Sequence, residues 1–279
     1  MKVKKSYGIA LCRRTGAMPV EVLLVKKRYT YHFSEFVFGR YKKHDTKHLM
    51  HLFNNMTYAE KICILNMKFS EMWYKIWLSD PEKSYFYGYN QIRDGKISVE
   101  KKPKRSSPQE RIAGAYFKKK SKFESAFVKD SGKRLLDLIN VSDNAEAPWD
   151  IPKGHKHSTE KDLDTARREF EEETGVDPKN YTMMWNVDPI IMTYQSCDGV
   201  IYKHYYYLAQ SENDWDPKVS FKKYSQVVEV ECVKWVSMRD IQFLQLNPDH
   251  KKRMTKLFTS ITNLYKKHTK PGTLTCHLT

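Results

Sequence analysis

The acidic run between residues 169 and 173 is the stretch best suited to chemistry, because it packs four glutamates into five positions. On a helix, Glu169, Glu172 and Glu173 stand at i, i+3 and i+4 and therefore share one face. Such close carboxylates repel one another unless a cation lies between them, and hard divalent cations such as Mg²⁺ take carboxylate oxygens as ligands. A solvated acidic helix face is the common alternative. The flanking residues decide between a metal site and an ordinary acidic surface.

A single helix from Ser158 to Thr174 is predicted to carry these carboxylates. The segment begins with a Ser or Thr that can cap the helix, contains good helix formers and ends at Gly175. Leu163, Ala166 and Phe170 lie to one side of this helix, where they can face a core.

The spacing around the acidic run extends the pattern over 23 residues. The segment GHKHSTEKDLDTARREFEEETGV (154–176) resembles the Nudix box at all nine positions that the box specifies. The chain is therefore similar to the Nudix hydrolases. This resemblance implies an α/β/α sandwich with a mixed sheet, and hydrolysis of a nucleoside diphosphate linked to another group.

The resemblance also implies roles for individual residues. The Gly154 carbonyl and the side chains of Glu169, Glu172 and Glu173 would hold Mg²⁺ or Mn²⁺ and form the catalytic centre. Arg168 and Glu160 would pair and fix the loop against the helix, so both are structural.

A later glutamate is expected to complete the site. Glu229 lies six residues before Trp235 in the predicted strand 227–237, at the spacing of the late glutamate in decapping Nudix enzymes. It is favoured over Glu231 as catalytic metal ligand or general base, although the motif does not settle which glutamate is the base. His155 and His157 are interpreted as loop or phosphate contacts.

The net charge of +16 and the pI near 9.4 point to a polyanionic partner such as RNA. Residues 101–122 hold nine Lys or Arg against a single acid, and residues 250–279 hold seven with none. No apolar run approaches the roughly 18 residues of a membrane span. The widely spaced cysteines are expected to be reduced, and the protein is expected in the cytoplasm, of the host cell if it is viral.

The chain is predicted to interrupt its strands with a helical insertion. Segments 7–14 and 20–28 read as paired strands, whereas apolar residues after Tyr41 recur at helical spacing. The expected organisation is a first Nudix part at 1–41, an inserted basic helical domain at 42–144, and the Nudix catalytic domain at 145–279.

This arrangement resembles the Nudix mRNA-decapping enzymes of large nucleocytoplasmic DNA viruses. It implies hydrolysis of the 5′ cap of capped mRNA to 7-methyl-GDP and 5′-monophosphate RNA, with uncapped RNA as a competitor. The expected phosphate contacts are basic residues of the insertion: Lys101, Lys102, Lys104, Arg105, Lys118, Lys119, Lys120 and Lys122.

Aromatic side chains could stack on the flat, cationic methylguanine of a cap; the candidates are Tyr31, Phe33, Phe36 and Tyr194. Two alternatives to decapping stay open. One is a pyrophosphohydrolase acting on diphosphoinositol polyphosphates or another nucleoside diphosphate derivative. The other is a binding module with a degenerate box, which is disfavoured because no box carboxylate is missing.

Overall fold

The computed structural model describes residues 3–14, 18–77, 108–195, 199–219, 226, 229–244 and 246–269, with side chains of 108–115 left out of the description. The chain forms two compact units. The first unit comprises Met1–Lys27, Trp149–Gln226 and Val230–Thr279, and the second comprises Arg28–Pro148 with Val227–Glu229.

The boundaries of these units differ from those expected at 41/42 and 144/145. Residues 28–41 belong with the second unit, called the helical unit from here on, and not with the first strands. The helix Tyr31–Val37 buries Phe33 and Phe36 in the hydrophobic core of the helical unit. Phe33 and Phe36 are 0 and 1% exposed, so neither can stack on a ligand as the sequence suggested.

The first unit is built on one mixed sheet. Within the described residues its strands are β1 (Val3–Arg13), β2 (Glu21–Lys27), β3 (Trp149–Asp150), β4 (Lys153–Gly154), β5 (Tyr181–Met183), β6 (Ile190–Gln195), β7 (Ile201–Ser211) and β8 (Val230–Ser237). β1 lies at the centre, parallel to β7 and antiparallel to β2 and β4. β8 and β3 pair antiparallel with β2, and β5 and β6 pair antiparallel with β7.

Two helices cover the two faces of this sheet. The helix Asp162–Thr174 packs Ala166 and Phe170 against inward residues of β1 and β2. The helix Pro248–His268 packs Met254, Phe258 and Ile261 against the opposite face. β1 is buried almost continuously because it is covered on both sides. Each fully buried phenylalanine stabilises the packing by about 1.5–3 kcal/mol. The predicted α/β/α sandwich is thus confirmed.

The predicted elements agree with the structure except at some ends. The strands expected at 7–14 and 20–28 are β1 and β2. The strand expected at 227–237 begins only at Val230, and the helix expected from Ser158 begins at Asp162. No Ser or Thr side chain caps this helix: Lys161 is its N-cap residue. Residues 158–161 instead form the loop that presents Glu160.

The second unit is a helical assembly around an aromatic core. Its helices among the described residues are Tyr31–Val37, Thr46–Asn54, Tyr58–Asn66, Phe69–Trp77, Pro108–Phe123 and Lys133–Asn140, with a π-helical turn at Glu124–Val128. The helical periodicity predicted after Tyr41 is confirmed, since Leu49, Phe53, Met72 and Trp73 are buried together. None of the helices described here is long and apolar enough to cross a membrane.

Candidate active site

The box helix ends at a glycine that its geometry requires. Gly175 has φ of +72°, a left-handed conformation that favours glycine, and its N–H donates to the Glu171 carbonyl at 2.8 Å. The amide of Gln226 lies against Gly175 and donates to the Glu173 carbonyl at 3.2 Å. These contacts fix the C-terminal end of the helix, where Glu172 and Glu173 lie.

Glu160 organises the loop before the helix. Its two carboxylate oxygens accept from the Arg168 guanidinium, with Nε–Oε1 of 2.6 Å and Nη2–Oε2 of 3.1 Å. The His157 N–H and the Thr165 hydroxyl also donate to Glu160. The hydrogen bond from Arg168, followed by that from His157, lowers the pKa of Glu160 to about 2. Arg168 also donates to the His155 carbonyl at 3.1 Å, so it ties the loop to the helix.

The three box glutamates face cationic side chains. Arg168 Nη1 lies 2.9 Å from Glu169 Oε1 and 3.0 Å from Glu172 Oε2. Glu173 is buried, and its Oε1 accepts from Lys27 Nζ at 2.6 Å. Among the residues described, no three Asp, Glu, His or Cys side chains are already grouped around one metal position. To bind these glutamates, a divalent cation would therefore replace Arg168 and Lys27 as the partner of their carboxylate oxygens.

Gly154, at the end of β4, lies directly against the Glu169 carboxylate. A Cβ atom on Gly154 would be 2.0 Å from the Glu169 carboxyl carbon and 2.2 Å from each oxygen. A side chain at position 154 would therefore push the Glu169 carboxylate away from the Gly154 backbone. Carboxylate oxygens beside a backbone carbonyl form the donor set that hard divalent cations prefer. The residues present thus fit the metal that the box implies.

Glu229 occupies a different place from the one expected. It directly precedes β8 instead of lying within it; its side chain is exposed, and its carbonyl accepts from the Arg28 N–H at 2.8 Å. Glu231 lies in β8 and forms an ion pair with Lys26 at 3.1 Å.

Two cations near the box were not singled out by the sequence. Lys27 ends β2, and Lys153 directly precedes Gly154 and forms an ion pair with Asp150. Burial opposes ionisation of Asp150, but Lys153 and other nearby cations outweigh it and lower its pKa to about 2. Burial, followed by the charges of Lys4 and Lys153, lowers the pKa of His155. Both residues end or adjoin a strand near the acidic helix. This position in the sequence pattern could have identified Lys27 and Lys153.

The basic residues predicted to bind RNA fall into two groups. Lys101, Lys102, Lys104 and Arg105 lie outside the described residues. Lys118, Lys119, Lys120 and Lys122 lie on the helix Pro108–Phe123. Lys118 is exposed, whereas Lys120 lies 3.8 Å from Glu124.

Lys122 has a structural role in the helical unit. Its ammonium donates to the Gly39 carbonyl at 2.7 Å and to the Tyr41 carbonyl, and it lies 4.6 Å from the centre of the Tyr41 ring. Burial, followed by the charges of Lys119 and Lys118, lowers the pKa of Lys122. An ammonium held by two carbonyls is less suited than Lys118 to contact a phosphate.

The same surface holds basic residues that the sequence did not single out. Gly39, which lies beside the predicted Lys119, is followed shortly along the chain by the exposed Lys42 and Lys43. The exposed Lys47 continues this loop into the next helix. Their isolation from the long basic run at 101–122 explains why composition alone missed them.

Comparison with known proteins agrees with this site. Residues 125–258 match the NUDIX domain family. The chain is 30% identical over 251 residues to the mRNA-decapping protein g5R of African swine fever virus (isolate Pig/Kenya/KEN-50/1950), covering 88% of this chain and 89% of that protein. It is 28% identical over 258 residues to a putative mRNA-decapping protein of Acanthamoeba polyphaga mimivirus, covering 86% of this chain and 65% of that protein.

Among solved structures, an Ap4A hydrolase from C. elegans aligns with 93% of this chain and 98% of its own, at 13% identity and a TM-score of 0.40. The sequence relatives, the matched domain and the box around Gly154 and Glu169 together show that the chain belongs to the Nudix hydrolase family.

Proposed function

We propose that this Nudix hydrolase removes the 5′ cap of mRNA, releasing 7-methyl-GDP and 5′-monophosphate RNA. The observation that carries the proposal is the extent of the match to the swine fever virus protein, which spans 88% of this chain. A match of that length cannot be confined to the 23-residue box and includes residues of the helical unit. The relatives named for decapping therefore share more than the hydrolytic motif with this chain.

The box residues supply what hydrolysis of a cap pyrophosphate requires. When bound, Mg²⁺ or Mn²⁺ would neutralise pyrophosphate oxygens and lower the pKa of a water molecule. The Gly154 carbonyl, Glu169, Glu172 and Glu173 are the proposed ligands, and Arg168 with Glu160 positions them.

The first unit carries the box and is called the catalytic unit from here on. Its basic side chains would help to neutralise the negative charge of the substrate. Lys27 forms an ion pair with Glu173 of the box. Lys153, which directly precedes Gly154 in the chain, forms an ion pair with Asp150. An ammonium fixed in this way can neutralise a substrate phosphate without first ordering a flexible side chain.

Glu229 is proposed as a further metal ligand or as the general base. Val230, the next residue, pairs with Lys27, whose ammonium contacts Glu173. The exposed carboxylate of Glu229 thus directly precedes, in sequence, the strand residue that pairs with Lys27. A carboxylate that accepts the proton of the attacking water typically contributes about 100-fold to 10,000-fold in rate.

The helical unit is proposed to bind the RNA body through phosphate contacts. Its exposed lysines Lys42, Lys43, Lys47 and Lys118 join the predicted Lys101, Lys102, Lys104 and Arg105 as candidates. Phosphate contacts are independent of base sequence, so uncapped RNA should compete with capped RNA. We place this activity in the cytoplasm, of the host cell if the protein is viral.

The decisive experiment offers capped RNA labelled in the cap, free cap dinucleotide and a diphosphoinositol polyphosphate to the purified protein with Mg²⁺ or Mn²⁺. Release of 7-methyl-GDP from capped RNA, faster than turnover of the other two substrates, is expected. Efficient hydrolysis of the diphosphoinositol with no product from capped RNA would replace decapping by the alternative function.

A further inference from the structure

The basic run near the end of the sequence forms the helix Pro248–His268 of the catalytic unit. This helix carries six Lys or Arg and a single acid, Asp249 in its first turn. Its apolar residues, among them Phe258 and Ile261, are buried against the sheet on the side opposite the box helix. The outward face of the helix is therefore polar and strongly basic.

Two of the six cations serve the fold. Lys251 Nζ donates to the Gln242 carbonyl at 2.6 Å, and the Arg253 guanidinium lies 4.5 Å from the centre of the Tyr194 ring. The other four are exposed, and none of their ammonium groups forms an ion pair or hydrogen bond with a residue that the structure describes: Lys252, Lys256, Lys266 and Lys267. These four residues are called the lysine face from here on.

The lysine face occupies one side of the helix and most of its length. At about 100° per residue, its members and the exposed Thr255, Thr259 and Asn263 between them fall within an arc of about 120°. At a rise of about 1.5 Å per residue, Lys256 lies about 6 Å from Lys252 and about 15 Å from Lys266 along the axis, and the whole face spans about 22 Å. A chain of phosphates lying along the helix would thus meet cations at both ends.

Helix stability accounts for only half of this arrangement. Lys266 and Lys267 lie in the last turn, where the helix dipole favours cations. Lys252 lies in the second turn and Lys256 near the middle, where the dipole gives a cation no such advantage. These two lysines also stand four residues apart, a spacing at which like charges repel. An anion bound between them would remove this repulsion.

An exposed aromatic side chain is tied to each end of the helix. Phe243 is 78% exposed and directly follows the residue whose carbonyl accepts from Lys251. Trp185 is 70% exposed and directly precedes Asn186, whose side-chain nitrogen lies 3.1 Å from His268 Nδ1. Proteins that hold single-stranded nucleic acid combine a basic track for the phosphates with aromatic side chains on which bases stack. Both components are present at this helix.

We infer that single-stranded RNA lies along the C-terminal helix, with its phosphates on the lysine face and with bases stacked on Phe243 and Trp185. The inference rests on the proposed function only for the choice of RNA as the polyanion. The helix lies across the sheet from the box helix, so this surface holds the body of the RNA and not the cap pyrophosphate.

An anionic membrane fits this helix less well than RNA does. A helix that inserts at a lipid surface does so through an exposed apolar face. In this helix the apolar face is packed on the sheet, and the exposed arc holds lysine, threonine and asparagine side chains. A lipid surface would therefore gain only charge contacts, whereas RNA would gain both charge contacts and stacking.

The test measures binding of fluorescein-labelled, uncapped single-stranded RNA to the full-length protein by anisotropy at several salt concentrations. Two double variants each remove one end of the lysine face: Lys252→Gln with Lys256→Gln, and Lys266→Gln with Lys267→Gln. Each should reduce the slope of log affinity against log salt by about 1.4, since each lost phosphate contact reduces it by roughly 0.7. The control, Lys179→Gln with Lys218→Gln, removes two exposed lysines elsewhere in the catalytic unit and should leave the slope unchanged.

Alanine at Phe243 or Trp185 separates stacking from charge. Either substitution should weaken binding of single-stranded RNA about fivefold or more, with the salt slope unchanged because no charge is lost. Duplex RNA of the same length should bind both variants as it binds the unaltered protein, because its bases are stacked on one another. The thermal melting curve of each variant shows whether the fold is intact.

An unchanged salt slope in either double variant would overturn the inference, because the RNA would then not follow the helix. Full affinity for single-stranded RNA in both aromatic variants would overturn it as well. Vesicles containing phosphatidylserine provide the third arm: binding of vesicles through the lysine face, with no such dependence for RNA, would replace RNA by a lipid surface. Hydrolysis of cap dinucleotide by the unaltered protein is measured in parallel, and its absence would count against decapping while leaving the RNA surface intact.

Discussion

The two units of the protein hold their acidic groups in different ways. In the catalytic unit, Glu169 and Glu172 are paired with the partly exposed side chain of Arg168. In the helical unit, Glu60 is buried and accepts from the Thr30 N–H at 2.6 Å, the Thr30 hydroxyl at 2.8 Å and the Thr57 N–H at 2.8 Å. A carboxylate paired with a cationic side chain can exchange that partner for a ligand. A carboxylate held by backbone N–H groups cannot lose them unless the chain unfolds there. The first arrangement suits binding and the second suits anchoring.

Lys61 extends this contrast to a positive group. It is fully buried, and its ammonium donates to the Ser142 hydroxyl at 2.7 Å, to the Asn144 side chain at 3.0 Å and to the Asp143 carbonyl. Burial lowers the pKa of Lys61, while Asp143 and Glu60 oppose this shift. Glu60 and Lys61 are consecutive residues of the helix Tyr58–Asn66. Through them, this one helix binds both residue 30, near the start of the helical unit, and residues 142–144, near its end.

The largest effect is expected from Glu172→Gln. The substitution removes one negative charge from a half-exposed side chain and no core volume, so hydrolysis should fall at least about 100-fold with folding intact. Turnover of cap dinucleotide and the circular dichroism spectrum measure the two properties. Glu171→Gln, at an exposed position on the same helix, is the matched control. Near-normal turnover of Glu172→Gln with Mg²⁺ or Mn²⁺ would contradict the metal assignment.

Glu229→Gln should lower turnover by on the order of 100-fold if this carboxylate is a base or ligand. Glu231→Gln, whose carboxylate is occupied by Lys26, should change turnover much less. The rates of both variants on the same substrate make the comparison. If their order is reversed, Glu231 takes the role proposed for Glu229.

The anchoring role is tested by Lys61→Met, which leaves buried acceptors on residues 142–144 without their donor. The free energy of unfolding should fall by about 2–4 kcal/mol, as measured by urea denaturation. Lys68→Met, at an exposed position of the same unit, should have little effect. Equal stability of the two variants would mean that the ammonium contacts do not anchor the chain.

The RNA contacts proposed for the helical unit are tested by replacing Lys42, Lys43 and Lys118 with alanine. Each lost phosphate contact should reduce the slope of log affinity against log salt by roughly 0.7 for single-stranded RNA. Fluorescence anisotropy with uncapped RNA at several salt concentrations gives this slope. Lys179→Ala, an exposed lysine of the catalytic unit, is the control. An unchanged slope in the triple variant would assign the phosphate contacts to other residues, with Lys101, Lys102, Lys104 and Arg105 the next to be replaced.

The smallest effect is expected for Glu160 and depends on pH. Its pKa is about 2 in the folded protein against an ordinary value of 4.5. A carboxylate with a lowered pKa stabilises the fold fully above pH 4.5, and this contribution is lost as the pH falls towards 2. Glu160→Gln should therefore show a shallower loss of thermal stability between pH 5 and 2.5 than the unaltered protein. Parallel melting curves for both proteins across that range would rule out this linkage.

The sequence predicted best where local patterns decide the structure. The box helix, its end at Gly175, strands β1 and β2 and the helices after Tyr41 follow from periodicity and turn residues, which act within a few positions. The parallel pairing of β1 with β7 joins residues about 200 positions apart, and nothing in either segment specifies the other. Strands β5, β6 and β7 were not among the predicted elements.

Other shortfalls have local causes. The C-terminal helix was not predicted, although Met254, Leu257, Phe258 and Ile261 recur at helical spacing within its basic sequence. Glu160 prevented an earlier start of the box helix, because its bonds to Arg168 and His157 hold residues 158–161 in a loop. Lys27 could have been noted as a basic residue at a strand end, but its pairing with Glu173 depends on where the end of β2 meets the helix, which the sequence does not specify.

The connectivity of the two units also sets an order of assembly during synthesis. Nearly all of the helical unit is one continuous stretch, Arg28–Pro148, whose contacts can form once that stretch has left the ribosome. The catalytic sheet cannot close until β7 and β8 emerge, because they flank β1 and β2 from the far end of the sequence. The contacts within the helical unit can therefore form in the nascent chain before the hydrolytic centre exists.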